Sequence, residues 1–167
     1  MIGVVVVTHG QLAAELLNAA ETIVGDLPNF FAVSIGWHED VQDARDAIAA
    51  AIARVAQPAG VLIATDMFGG TPSNLGITFL EEDKVEIVTG VNLPMLIKAA
   101  SLKDAASLID VARSLREHGK NAIWVASDLL TGAPEAPVAS AAPVAPASPV
   151  APASPASPAS PASPEKK

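Results

Sequence analysis

The 167-residue sequence contains no cysteine, which excludes disulfides, thiolate catalysis and cysteine-based metal sites. Basic residues are also scarce: ten Lys and Arg stand against 18 Asp and Glu, for a formal net charge of −8. Nucleic-acid binding needs basic patches that neutralise phosphates, so this balance argues against it. No signal segment precedes the first predicted strand, and no apolar run approaches the roughly 20 residues needed to cross a bilayer. We therefore expect a cytoplasmic protein without a nucleic-acid partner.

Glycine is absent after Gly132, and proline becomes frequent at almost the same point. Ten of the 14 prolines lie from Pro134 onward, within repeats of Pro, Ala, Ser and Val. Such repeats cannot bury a core and favour an extended, polyproline-like chain. The sequence thus predicts one domain over residues 1–132, followed by a disordered Pro/Ala/Ser-rich tail over residues 133–167.

Within the domain, apolar runs alternate with helical spacings. The unbroken β-branched run at 4–7 predicts a strand buried on both faces. The other expected strands are 30–35, 61–64, 85–88 and a short fifth strand at 121–126, and the expected helices are 11–24, 41–55, 72–80, 95–100 and 103 or 104 to 117. This alternation is typical of an α/β fold with a doubly wound, mostly parallel sheet and helices on both faces. The expected strand order is 2-1-3-4, with the fifth strand at an edge.

In that order, the winding reverses between strands 1 and 3, and ligands bind at such a switch point. His9 ends strand 1 and Asp66 follows strand 3, so both are expected at one crevice, each followed by a helix N-terminus. A carboxylate that accepts the N–H of one imidazole nitrogen leaves the lone pair of the other exposed. His9 is therefore the candidate nucleophile and Asp66 the group that orients it. A structural histidine and a helix-capping aspartate are the alternatives.

The surrounding segments carry groups that suit a phosphoryl group, whose transfer depends mainly on positioning and charge stabilisation. The candidate phosphate-binding residues are Gly10, Thr65, Gly69, Gly70, Thr71 and Ser73. Thr71 also suits a helix cap, with Pro72 at the first helical position. Neither a Walker sequence nor a Gly-x-Gly-x-x-Gly motif is present, so the phosphate would arrive on a partner protein or a small molecule.

Four further residues receive a less specific interpretation. His38 is expected in a solvated loop, and Asn92 is expected to cap a helix or shape a turn rather than take part in chemistry. Met67 and Phe68 are either exposed partner contacts or local core. None of these residues changes the choice of His9 as the reactive group.

Three motifs, in the correct order, resemble the enzyme IIA component of the mannose-type sugar phosphotransferase system. They are Thr8-His9-Gly10, Asp66-x-x-Gly69-Gly70-Thr71-Pro72-x-Asn74 and Gly90-Val91-Asn92-Leu93-Pro94-Met95-Leu96. The resemblance spans residues 1–128. It implies that His9 accepts a phosphoryl group from the phosphocarrier protein HPr, as a tele-phosphohistidine, and passes it to a IIB component. It also implies that Asp66 orients His9, that the Gly-Gly-Thr-Pro segment lines the site and that the domain forms a homodimer.

The sequence departs from that family in one respect, because no IIB domain follows the tail and no membrane IIC or IID component is present. A separate IIB protein would then receive the phosphoryl group, with IIC and IID involved only indirectly. Alternatively, the protein is a regulatory binding module whose phosphorylation state is the signal.

Two other functions fit less well. A histidine-nucleophile phosphohydrolase needs arginines on the phosphate, whereas every arginine of this chain lies in a predicted helix. A metal site built on His9, Asp66 and His38 has fewer ligands than a structural zinc site requires. The sequence therefore predicts neither a metal nor a cofactor.

Overall fold

The computed structural model describes residues 1–36, 38, 40–102 and 107–131. The predicted tail at 133–167 lies outside the described residues, and so does the predicted start of the last long helix at 103 or 104. Among the residues that are described, no helix combines the length and the apolar character that a bilayer crossing requires.

The described residues form four strands and six helices, which alternate as far as the fourth helix. The strands are β1 (Gly3–His9), β2 (Phe30–Ile35), β3 (Val61–Thr65) and β4 (Val85–Thr89). The helices are α1 (Leu12–Val24), α2 (Val41–Val55), α3 (Thr71–Ile77), α4 (Leu93–Ser101), α5 (Leu108–Asn121) and α6 (Ala126–Thr131). All strand pairs are parallel and the order is β2-β1-β3-β4, which confirms the predicted doubly wound α/β fold and its strand order.

The β1 strand explains why its run of valines is unbroken. Val4 and Val6 face the core that the sheet forms with α1, α4 and α5, whereas Val5 and Val7 face the core that it forms with α2 and α3. All four side chains are fully buried. Since successive side chains of a strand point to opposite faces, a strand covered on both faces favours apolar residues at consecutive positions.

The predicted fifth strand at 121–126 does not form. Helix α5 continues to Asn121, residues 123–125 have no regular structure, and α6 begins at Ala126. The exposed fractions of Ile123, Trp124 and Val125 are 76, 41 and 61%. Their apolar and β-branched character is a real local preference for strand, but a strand also needs a neighbour to pair with. No strand in the described part of the chain pairs with the outer edge of β4, and residues 123–125 do not reach it.

Helix α5 runs four residues beyond the predicted stop at Glu117, through a glycine that was expected to end it. A Cβ built on Gly119 would lie 2.5 Å from the Sδ atom of Met95 in α4, so glycine is needed there for close packing. Helix α3 ends earlier than predicted, at Ile77, and turns connect it to Leu80. These differences leave the two ends that flank the site, those of β1 and β3, where they were predicted.

Candidate functional site

The ends of β1 and β3 bring His9 and Asp66 together. Val7 pairs with Thr65 in the parallel register, so the two strands end side by side. The Nδ1 atom of His9 lies 2.8 Å from the Oδ2 atom of Asp66. The juxtaposition that the strand order predicted is therefore present, across 57 positions of sequence.

The Asp66 carboxylate accepts three hydrogen bonds that fix its position. Oδ2 accepts the His9 backbone N–H at 2.9 Å as well as the ring Nδ1–H, and Oδ1 accepts the Met67 backbone N–H at 2.9 Å. Because an ionised carboxylate can only accept, the ring proton resides on Nδ1. The Nε2 atom of the neutral imidazole then carries the free lone pair, which is the arrangement that a nucleophilic histidine requires.

Two opposing effects set the pKa of Asp66. Partial burial alone would raise this pKa, but the hydrogen bonds from the His9 backbone and ring and from the Met67 N–H outweigh it. The pKa is therefore held below its ordinary value of 3.8, and the side chain is an anion at neutral pH. The exposed fraction is 14% for the Asp66 side chain and 40% for that of His9. The carboxylate is therefore mostly covered by protein, whereas the ring is accessible to solvent.

The segment that follows Asp66 is held by a buried serine. The Ser73 hydroxyl accepts the Gly69 N–H at 2.9 Å and donates to the Gly70 carbonyl at 3.0 Å. Gly69 adopts a φ of +84°, in the left-handed region that favours glycine. Ser73 thus fixes the turn that lies against the His9 ring, a role that sequence reasoning missed. A serine in the first turn of a helix that follows two glycines is the only signal that pointed to it.

Thr8 and Gly10 fix the other side of the site. The buried Thr8 hydroxyl accepts the Ala13 N–H at 2.7 Å, and so acts as the cap that Gln11, at the formal N-cap of α1, does not provide. Gly10 has a φ of +56° and donates its N–H to the Ile35 carbonyl at 2.9 Å. Together these contacts turn the chain from β1 into α1 directly after His9. Thr8 was part of a recognised motif, but its capping role was not predicted.

The candidate phosphate-binding residues fall into two groups. Gly69 and Thr71 are exposed and Gly10 and Gly70 partly so, whereas Thr65 and Ser73 are fully buried. The Thr65 hydroxyl has no hydrogen-bond partner within the described part of the chain. The prediction that Thr71 caps α3 is wrong, because Gly70 occupies the N-cap and Thr71 is the first helical residue. A glycine takes the cap here since the His9 ring fills the space beside it.

The remaining candidates keep the roles expected of them. Asn92 caps α4, accepting the Met95 N–H at 3.1 Å, and donates to the Gly119 carbonyl at 3.0 Å. His38 lies in an exposed turn. Met67 and Phe68 are both exposed, which leaves them free to contact a partner. No group of three potential metal ligands occurs among the described side chains.

The fold and this pair define a doubly wound α/β protein with a carboxylate-held, solvent-accessible histidine at its switch point. A family model described as the PTS system fructose IIA component, of mannose type, matches residues 3–115. The chain belongs to this family, the mannose-type IIA components of the phosphotransferase system. It is therefore a phosphotransferase component concerned with sugar transport.

Curated relatives agree with this assignment. The PTS system fructose-specific EIIA component of Bacillus subtilis is 30% identical over 131 residues, which cover 78% of this chain and 90% of that protein. The PTS system sorbose-specific EIIA component of Lacticaseibacillus casei is 35% identical over 98 residues, which cover 58% and 70%. The match to the PTS system mannose-specific EIIAB component of Escherichia coli spans only 44% of that longer protein, at 30% identity.

Solved structures share the fold. The mannose/sorbose-specific IIA subunit from Enterococcus faecalis has a TM-score of 0.65 and 28% identity, over 74% of this chain and 93% of that one. The phosphotransferase system component EIIA from Streptococcus agalactiae has a TM-score of 0.68, over 76% of this chain and 98% of that one. At 24% identity, the second likeness shows the fold alone.

Proposed function

We propose that this protein is a cytoplasmic phosphoryl carrier in which His9 accepts a phosphoryl group from phospho-HPr and passes it to a IIB component. The observation that carries the proposal is the state of the His9 ring. Its Nδ1 atom is hydrogen-bonded to a partly buried carboxylate at 2.8 Å, and 40% of the side chain is exposed. A ring held in this way offers Nε2 to a donor that arrives from solvent.

The bond changes of the transfer involve the His9 ring, the Asp66 carboxylate and the donor. The Nε2 lone pair forms a bond to phosphorus as the bond between phosphorus and its atom on HPr breaks. The Nδ1 proton stays in place, so the phosphorylated ring gains a positive charge that the Asp66 anion stabilises. The reverse sequence of bond changes passes the phosphoryl group to the IIB component, with the membrane IIC and IID subunits further along the pathway.

The phosphoryl oxygens would be received by the segments that border the ring. Gly10, Gly69, Gly70 and Thr71 are the residues we assign to this role, because each is at least partly exposed. The buried hydroxyls of Thr65 and Ser73 would support the site from beneath, and that of Ser73 already holds the turn at Gly69 and Gly70. Backbone N–H groups are suitable ligands for a charged phosphoryl group because they donate without adding a competing charge. Since the N–H groups of Gly10 and Gly69 already donate to the Ile35 carbonyl and the Ser73 hydroxyl, those of Gly70 and Thr71 would take this role.

We further propose that the domain functions as a homodimer joined along β4. Exposed apolar residues lie beside the outer edge of that strand, which no strand of the described residues pairs and which is bridged only at its start, by Glu81 to Val85: Phe68, Ile77, Leu80 and Ile109. The segment 123–125, with its strand-forming side chains, is exposed in the same chain and lacks a partner strand. If the segment 123–125 of a second copy paired with the outer edge of β4, both the segment and the apolar residues beside that edge would be covered.

Phosphorylation with purified components tests the carrier function. The protein is incubated with radiolabelled phosphoenolpyruvate, enzyme I and HPr, and we expect one acid-labile, base-stable phosphate per chain. This label should be absent in His9→Ala and unchanged in the matched control His38→Ala, which removes an exposed loop histidine. Label that persists in His9→Ala would reject the assignment.

The fate of the label separates the alternative functions. Quantitative transfer to a purified IIB protein supports the carrier, whereas rapid release of inorganic phosphate in its absence supports a phosphohydrolase. A stable phosphohistidine that no IIB protein accepts supports the regulatory binding module. The arginines of the described residues do not favour hydrolysis: Arg45 and Arg54 stack on Phe79 and Phe31, and Arg113 and Arg116 pair with acidic side chains on α5.

A further inference from the structure

Gly70 lies directly against the His9 ring. A Cβ atom built on Gly70 would lie 2.6 Å from Cε1 and 3.1 Å from Nε2 of that ring. The first distance is well inside van der Waals contact, so ring and side chain cannot occupy these positions together. The next neighbour, the Cγ atom of Met67, would be 3.6 Å away, which is an ordinary contact. The ring alone is therefore what excludes a side chain at Gly70.

The backbone gives no reason for glycine at this position. Gly70 has φ −87° and ψ 170°, an extended conformation that any residue adopts. The adjacent Gly69 is the opposite case, because its φ is +84° and nothing lies within 4 Å of its absent Cβ. Glycine at position 69 thus permits the backbone conformation of the turn, whereas glycine at position 70 makes room for the side chain of His9, which lies 61 positions away in the sequence.

Gly70 is also unable to move away from the ring easily. Its carbonyl accepts the buried Ser73 hydroxyl at 3.0 Å and the Asn74 N–H at 2.9 Å. On the other side of the ring, Nδ1 is hydrogen-bonded to the Asp66 carboxylate. The imidazole is therefore held between a carboxylate at Nδ1 and a fixed backbone at its Cε1–Nε2 edge.

We propose that Gly70 is a positioning residue for His9, and that its missing side chain is what allows Nε2 to be presented while Nδ1 remains bonded to Asp66. The functional part of this inference rests on the carrier function proposed above. A methyl group at residue 70 pushes the Cε1–Nε2 edge away, which turns or shifts the ring and lengthens the Nδ1–Oδ2 contact. A displacement of about 1 Å in a reacting group costs on the order of 100-fold in rate.

A double-mutant cycle tests whether the His9 ring is what excludes a side chain at residue 70, and it does so without any phosphoryl transfer. Gly70→Ala should lower the melting temperature by roughly 3 to 8 °C, the usual range for overpacking. In a His9→Ala background the same change should cost nothing or raise the melting temperature, because the clash is gone and alanine reduces the entropy of the unfolded chain. Equal losses in both backgrounds would overturn the proposal.

Gly76→Ala is the matched control. It is the same substitution on α3, and its Cβ would meet Ile63 Cγ2 at 3.5 Å, Thr65 Cγ2 at 3.9 Å and Ile87 Cδ1 at 4.0 Å, which are ordinary contacts. We expect no loss of melting temperature and no dependence on His9. A loss as large as that of Gly70→Ala would show that α3 resists any added methyl group, which contradicts a specific role for Gly70.

The ring itself gives the second readout. In ¹⁵N NMR spectra, wild-type His9 should show a protonated Nδ1 and an unprotonated Nε2, as the Asp66 contact requires. Gly70→Ala should shift both ring resonances and mix the tautomers, while Gly76→Ala leaves them unchanged. Unaltered His9 resonances in folded Gly70→Ala would overturn the proposal even if its stability had fallen.

Phosphorylation by HPr is measured last, so that the two proposals can fail separately. We expect a 10- to 100-fold slower rate for Gly70→Ala and a wild-type rate for Gly76→Ala. If the cycle and the spectra respond but wild-type protein takes no label, Gly70 still positions the ring and the carrier function is what fails. If wild-type protein is labelled and Gly70→Ala is labelled equally fast, the positioning role fails.

Discussion

The centre of the sheet and its β4 edge differ in how far contacts within the chain pair the polar groups and cover the apolar side chains. At the centre, between β1 and β3, the Asp66 carboxylate has three donors and the adjoining turn is held by a buried serine. At the edge, β4 has no outer partner strand among the described residues, and several large apolar side chains are exposed. The carboxylate and the turn at the centre are held by contacts within one chain, whereas the edge carries the exposed apolar surface that the proposed dimer would bury.

This difference has a consequence for mutations. A change at the centre removes a contact that the chain makes with itself, so it should alter chemistry or stability at any protein concentration. A change at the edge removes only a contact with a second molecule, so it should act through the oligomeric state. Phe68 lies between the two regions, since it follows Asp66 by two positions and also borders the apolar surface beside β4.

The largest effect is expected at the centre, from Asp66→Asn. The amide is close to isosteric, but it is uncharged and no longer dictates which ring nitrogen of His9 is protonated. We expect phosphorylation by HPr to slow by roughly 100-fold or more, as for other histidines that lose their orienting carboxylate. The initial rate of label incorporation measures this. Asp43→Asn, the same change at an exposed position of α2, should leave the rate unaltered, and an equal rate in both variants would remove Asp66 from the mechanism.

At the edge, Val125→Asp should dissociate the proposed dimer. The exposed fraction of Val125 is 61%, so a charge there costs the monomer little but would be buried against a second copy. We expect the dimer dissociation constant, from sedimentation equilibrium, to rise at least 10-fold, which is about 1.4 kcal/mol.

Val41→Asp is the control for that substitution, because Val41 has the same exposed fraction of 61% and lies on α2, away from β4. Association should be unchanged in this variant. If the wild-type protein is monomeric at all concentrations, or if both variants weaken association equally, the edge is not the interface.

The same contrast explains what the sequence could predict. The run at 4–7, the two residues that end β1 and β3, and the β-α alternation were sufficient for the strand order and for the meeting of His9 with Asp66. Each of these features depends on patterns that one chain satisfies by itself. The segment 121–126 has equally good strand character, yet it forms no strand, because pairing depends on a neighbour that local sequence does not describe.

Contacts between distant residues account for the other errors. Gly119 has the local signature of a helix stop, but it lies inside α5, where a side chain would collide with Met95 of α4. Thr71 has the signature of a cap, but Gly70 occupies the N-cap position, where a side chain would collide with the His9 ring. In both cases, a glycine interpreted as a backbone signal was determined by another residue's side chain, which is invisible to spacing.

Ser73→Ala should have a moderate effect on stability. Loss of the hydroxyl leaves the Gly69 N–H without its acceptor and removes one of the two donors to the Gly70 carbonyl, which keeps the Asn74 N–H, and such a loss costs about 1 to 2 kcal/mol. Urea unfolding measures the free energy. Ser101→Ala is the control, since the exposed Ser101 hydroxyl donates only to the Lys98 carbonyl, and we expect it to lie within about 0.5 kcal/mol of wild type. A cost as small as that of the control would mean that Ser73 does not hold the turn.

The smallest expected effect is the pH dependence that Asp66 adds to stability. Its pKa is lowered in the folded state relative to 3.8, so its stabilising contribution is complete above 3.8 and is lost as the pH falls through the folded value. We expect the difference in unfolding free energy between wild type and Asp66→Asn to be constant near neutral pH and to shrink below pH 3.8. Urea midpoints from pH 7 down to pH 2.5 measure it, with Asp43→Asn as the reference. A difference that stays constant through the acid range would show that the three hydrogen bonds to the carboxylate do not favour its ionised form.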